Sequence, residues 1–145
     1  MHNSTPALAI AFVPKQEWDD VYTPEKSLCE GTIFPNLNLP FYKAEDSCSC
    51  AAGNDPVSRD LFQIDCIGFM LNDLTLYLDT HPDCTKGLSL YRKLLQERLN
   101  QLSEFAHSHY PLTQSSIITG NCSEQKYCWD EGPAPWEGGM SNVVL

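Results

Sequence analysis

Few side chains in this sequence are spaced to do chemistry, and each group has a plainer use. Asp79, His81 and Asp83 alternate along one short stretch, with Asp73 a little upstream. Carboxylates and an imidazole so close together could ligate a divalent metal, but nothing closes a coordination set. Their plainer use is to cap helix ends and hold a turn. His107 and His109 stand two apart, which places them on different sides of a helix and makes them a poor ligand pair. No glycine-rich phosphate loop, no Ser/His/Asp set and no paired Glu-x-x-His di-metal pattern occurs. No catalytic, cofactor-binding or metal-binding residue is therefore assigned, and the chain reads as a non-enzyme.

The seven cysteines are Cys29, Cys48, Cys50, Cys66, Cys84, Cys122 and Cys128. None forms a Cys-x-x-Cys pair, so structural zinc and thioredoxin-like chemistry are poor readings. Cys66 falls in a helical pattern, where it packs as a small apolar residue. The others fall in arms, linker and turns, where their thiols are expected to be exposed. An odd count means thiols in a reducing cytosol and permits intermolecular disulfides after exposure to air. Cys48, Cys50, Cys122 and Cys128 are the candidates for cross-linking. The formal net charge of −10 excludes nucleic acid, whose phosphates need a basic surface, and suits a neutral or basic protein partner.

The elements that position these residues centre on Asp55 to Thr113. Val57, Leu61, Ile64, Ile67, Leu71, Leu74 and Leu78 recur at helical spacing, with Asp55 as N-cap and Pro56 at the first helical position. Leu88, Tyr91, Leu95, Leu99, Leu102 and Ala106 repeat the pattern, with Leu94 and Phe105 at the margin. His81 precedes Pro82 and favours a break, and Thr80 and Asp83 have capping-box spacing. Helices are thus expected from about Pro56 to Leu78 and from about Pro82 to His109. The short connection folds them back as an antiparallel two-helix hairpin.

The first of these helices carries a second apolar row, Phe62, Phe69 and Leu76, on a different side from the first. One partner helix can cover only one face. An arm of the same chain, a second copy or another protein must cover the other. The arm is favoured, through Phe34, Leu37 and Phe41, because it is tethered at high effective concentration.

Around the hairpin, residues 1–6 form a polar tail and residues 7–43 an arm rich in proline and aromatic residues. One short helix is expected there, from Pro24 to Glu30, with Thr23 as N-cap and Gly31 past its end. Residues 44–54 form a linker, 55–113 the hairpin, and 114–145 a tail in which Trp129 and Trp136 flank a Pro-Ala-Pro kink. The apolar run Ala7 to Val13 lacks a basic lead and is too short to span a bilayer, so neither signal peptide nor membrane insertion is expected. The fold class is all-α, a hairpin with extended and largely irregular N- and C-terminal arms.

Two sets of strings carry a family resemblance. Phe12-Val13-Pro14-Lys15-Gln16-Glu17-Trp18, Tyr22, Gly31-Thr32-Ile33-Phe34-Pro35-Asn36-Leu37 and Pro40-Phe41 resemble the small spore coat protein family CotJA. Asp73-Leu74-Thr75-Leu76-Tyr77-Leu78-Asp79-Thr80-His81-Pro82-Asp83, then Tyr91, Tyr110-Pro111-Leu112-Thr113 and the Trp-Pro tail resemble CotJB. Together they span most of the chain, which looks like a fusion of the two. The resemblance implies a structural or adaptor component of the endospore coat, made in the mother-cell cytoplasm. It also implies association with a manganese-catalase-like coat protein and with other coat proteins, while self-association is an expectation from the second apolar row. The expected partner-interface residues are Phe62, Phe69, Leu76, Phe34, Phe41, Trp129 and Trp136. The rival readings are a helical protein-binding module not tied to spores and a metal or redox protein using the Cys, His and Asp residues.

Overall fold

A computed structural model describes residues 16–39, 52–120, 122 and 127–134. Among these residues every regular element is helical. The first, α1 (Pro24–Glu30), is set by local chemistry at both ends. Thr23 Oγ1 accepts from the Lys26 amide, and Gly31 closes the helix at φ 75°, a left-handed conformation that glycine adopts without a Cβ penalty. A 3-10 turn, Pro35–Leu37, follows.

The long helix α2 (Pro56–Thr80) begins as its sequence requires. The Asp55 carboxylate accepts from the Ser58 amide at 2.9 Å, and Pro56 occupies the first turn. The Ser58 hydroxyl, and then the Ser58 amide, hold the Asp55 carboxyl below its ordinary range. By length and composition α2 could cross a bilayer; here it is the central helix, packed by both α1 and α3 (Thr85–Ser108). Asp60, near the start of α2, meets His109, just past α3, and Leu78 meets Gly87 near the start of α3. The two long helices therefore run antiparallel. A four-residue helix α4 (Ser116–Thr119) packs back on α3, and a 3-10 turn, Trp129–Glu131, lies beyond it.

Two local expectations need correction. α3 starts at Thr85, three residues later than Pro82, and no side chain caps it. Thr80 makes no capping box with Asp83; its hydroxyl donates back to the Tyr77 carbonyl at 3.0 Å and lies 2.8 Å from His81 Nδ1. A Ser/Thr hydroxyl close behind its own helix end reaches the nearest carbonyl more readily than a distant amide.

The buried face of α3 is also rotated from the expected one. Leu94 and Phe105, placed at the margin by the spacing, are buried at 4% and 2% exposure, whereas Leu95 and Leu99 are 42% and 56% exposed. Gly87 supplies the physical reason. A Cβ there would lie 3.2 Å from both Leu78 Cδ2 and Trp18 Cζ3, so the lack of a side chain lets α2 and the N-terminal segment approach along the Gly87 line. Leu94 and Phe105 lie on that line and Leu95 does not.

The core is one cluster of Ile33, Phe34, Ile67, Met70, Leu71, Leu74, Tyr77 and Leu94, with Trp18, Phe69 and Leu90 packed against its edge. Two of its members come from the N-terminal segment. That segment meets α2 on the side of Met70, Asp73 and Tyr77, between the two apolar rows read from the sequence.

Candidate protein interface

The chemistry of this chain is concentrated where the N-terminal segment meets α2. Tyr22 donates its backbone N–H to the Ile33 carbonyl at 2.9 Å, which folds residues 16–39 into a loop around α1. At the loop's inner edge Thr32, Ile33 and Phe34 are all buried. A buried backbone amide must find an acceptor. The Ile33 amide donates to Asp73 Oδ2 at 2.8 Å, the Thr32 hydroxyl donates to the same oxygen at 3.1 Å, and the Phe34 amide donates to Thr32 Oγ1 at 3.1 Å. Asp73 is thus the acceptor for an amide and a hydroxyl that arrive from the N-terminal segment.

Three aromatic rings close over this network. Phe34 lies 5.1 Å from Tyr77, and Trp18 stands edge-on to both, at 6.0 Å from Phe34 and 5.5 Å from Tyr77. Edge-to-face pairs at such distances add attraction beyond the area they bury. His81 stacks flat on the other side of Tyr77, 4.3 Å away with 2° between planes. Burial, then the hydrogen bond to Cys84, pushes the Tyr77 phenol up to about 12. On the outer rim Asn36 donates to Asp19 at 2.6 Å, and the Asp20 amide and Asn36 together hold the Asp19 carboxyl below its ordinary range.

The sequence-derived interface residues are not gathered at one place. Phe34 is at the centre of the aromatic set, 2% exposed, so its ring is used within the chain. Phe69 is half-buried at the edge of the core and Phe62 is half-buried, while Leu76 is 68% exposed. Leu37, expected to help cover the second row, is exposed. Trp129 is partly exposed on the C-terminal 3-10 turn, beside Tyr127, and Leu95 and Leu99 add two exposed leucines on α3. Phe41 and Trp136 lie outside the described residues, as do Cys48 and Cys50.

The cysteines are more tied down than exposed arm positions imply. Cys122 and Cys128 are joined to each other, and Cys128 is buried. Cys29 is disulfide-bonded as well. Cys66 is buried on α2, and Cys84 is a half-buried thiol against Tyr77.

The remaining polar clusters are structural in form. His109 Nε2 lies 2.8 Å from Asp60 Oδ2, pairing the two ends of the hairpin. Beside it Asp60, Gln63, Gln101, Glu104 and Ser108 line a cavity of about 240 Å³ with Ile64 and Phe105. No nucleophile paired with a base lies among its lining residues. Asp65 is set beside Arg98; burial raises its carboxyl and the guanidinium offsets this in part. Among the described residues no three His, Cys, Asp or Glu side chains converge to hold a metal ion.

Sequence reasoning named Asp73 only as a possible neighbour of metal ligands and did not single out Thr32, Trp18 or Tyr77 as a unit. The available signal was the Gly-Thr-Ile-Phe-Pro string, two apolar residues between a hydroxyl and a proline.

Comparison with curated proteins and with solved structures finds no match. Family models do match. The model described as CotJB protein covers residues 58–137, more than half of the chain, and the model described as spore coat associated protein JA (CotJA) covers residues 7–41. The chain belongs to the CotJB family, carries a CotJA segment ahead of its CotJB part, and is a spore coat associated protein.

Proposed function

We propose that the chain is a non-catalytic structural and adaptor component of the endospore coat that binds a manganese-catalase-like coat protein. The observation that carries this reading is the presence of two spore-coat family segments in one chain, packed into one core. A catalytic site needs converging reactive groups; the polar clusters here instead make ion pairs, caps and an interlocking of segments. Catalase chemistry belongs to the partner in this reading, and the chain supplies contact surface.

That surface lies where apolar side chains remain in water. Leu76, Leu95, Leu99 and Trp129 are exposed, and exposed apolar residues in number mark interaction sites. Trp129 and Trp136 are the favoured contacts; Leu76 is a second candidate, with Phe62 and Phe69 as its half-buried neighbours on α2. Made in the mother cell, the chain reaches the coat by associating with other coat proteins rather than by inserting into membrane.

The test is co-expression with the neighbouring catalase-like protein, followed by size-exclusion chromatography. Co-elution at a shifted volume is expected. Separate elution of two well-folded proteins at micromolar concentration would remove the adaptor reading.

A further inference from the structure

We propose that the contact between residues 16–39 and α2 is a docking interface that holds without the covalent connection. The side of α2 bearing Asp73 and Tyr77, completed by Gly87 of α3, is a receptor for one peptide chemistry: an apolar segment carrying Trp18 and the string Thr32-Ile33-Phe34. A separate chain that has only this CotJA-type segment would fill it in trans. This goes beyond the coat assignment and does not depend on it.

Four observations carry the inference. The two family models match separate stretches, 7–41 and 58–137, so each segment is a unit that is described without the other. Among the described residues the N-terminal segment builds no core apart from α2. The one buried residue of α1 is Ser27, and Ile33 and Phe34 are buried in the cluster centred on α2, with Trp18 of their own segment at its edge.

The contact also has the anatomy of an interface between proteins. A fully desolvated aromatic anchor, Phe34, sits between two other rings, with polar pairs such as Asn36 and Asp19 at the rim. Finally, the receptor is specific. Asp73 Oδ2 takes two adjacent donors, the Thr32 hydroxyl and the Ile33 amide, and Gly87 leaves room for the Trp18 ring. Joining two such modules by a linker raises their effective concentration but adds no contact.

The experiment keeps the whole chain and cuts it after folding. A protease site is inserted between Glu45 and Asp46, the purified protein is cleaved, and the products are separated by size exclusion with excess thiol, so that the Cys29 disulfide cannot tether them. The two fragments should co-elute and separate only in denaturant. Phe34→Ala should weaken their association by about tenfold or more, as loss of a buried aromatic anchor does. Thr32→Val, which removes one donor to Asp73 and the acceptor of the Phe34 amide, should also weaken it, and Ile118→Ala, at an exposed side chain on α4, should leave it unchanged.

Separation of the parent fragments at micromolar concentration would overturn the proposal. So would co-elution indifferent to both Phe34→Ala and Thr32→Val. An uncut parent that elutes as a dimer, and that the cut converts to single hairpins each carrying one arm, would show the arm of a second copy in the receptor and uphold docking without a covalent connection.

Discussion

The Ile33 amide donates to the Asp73 carboxylate across 2.8 Å, joining two residues 40 apart in the chain. Ile33 is 0% exposed, so water cannot replace that acceptor. Asp73→Ala should therefore leave a buried amide unsatisfied and cost about 1–3 kcal/mol. Asp73→Asn retains a carbonyl oxygen at the same place and should cost less. Urea denaturation followed by circular dichroism measures both; equal stability of Asp73→Ala and parent would mean that the bond holds nothing together.

The two leucines that the spacing places on facing seams should behave differently. Leu71 is buried at 4% exposure, and its truncation to alanine should cost about 2–5 kcal/mol through lost burial and the cavity left behind. Leu95, at 42% exposure, has little packing to lose, so Leu95→Ala should cost less than about 1 kcal/mol. Denaturant midpoints of the two variants, compared at one slope, check the orientation of α3.

Tyr77 makes stability fall at high pH. Its phenol is raised from 10.0 to about 12 in the fold, chiefly by burial. The neutral phenol's contribution is therefore fully present below the unfolded value, and it is lost as pH rises through the folded one. The window runs from about 10 to about 12. One of the six tyrosines should ionise late in a tyrosinate absorbance titration, and Tyr77→Phe should flatten the alkaline loss of stability. Six tyrosines titrating together near the ordinary value would contradict the buried placement.

Gly132 lies against the ring of Tyr110, which itself stands edge-on to Phe105 at 5.1 Å. A Cβ at Gly132 would come within 2.7 Å of Tyr110 Cδ2, so Gly132→Ala must push the two apart. Residues 127–134 should then be cleaved faster in limited proteolysis, while the melting of the long helices stays near that of the parent.

Trp129→Ala and Trp136→Ala should leave the helical signal intact and weaken co-elution with the catalase-like protein, and Leu76→Asp tests the second candidate surface. Full co-elution of both tryptophan variants, with loss in Leu76→Asp, would move the contact from the tail to α2.

The sequence by itself determined what local chemistry controls. Thr23 and Gly31 bound α1, and Asp55 and Pro56 start α2, because caps and proline act within one turn of where they stand. The row Ile64, Ile67, Leu71 and Leu74 is buried because only one side of α2 carries so dense an aliphatic line.

What only the tertiary structure decided is which of two adjacent faces a neighbour takes. On α3 periodicity favours the row through Leu95 over the line through Leu94, and the packing takes the latter because Gly87, with no side chain, sets the line of closest approach. On α2 the covering segment lies over Met70, Asp73 and Tyr77 rather than along Phe62, Phe69 and Leu76. A charged residue such as Asp73 reads as solvent-facing in any hydrophobic pattern. It can be half-buried here because the amide and hydroxyl that stabilise its carboxylate arrive from 40 residues away, a contact that spacing along one helix does not contain.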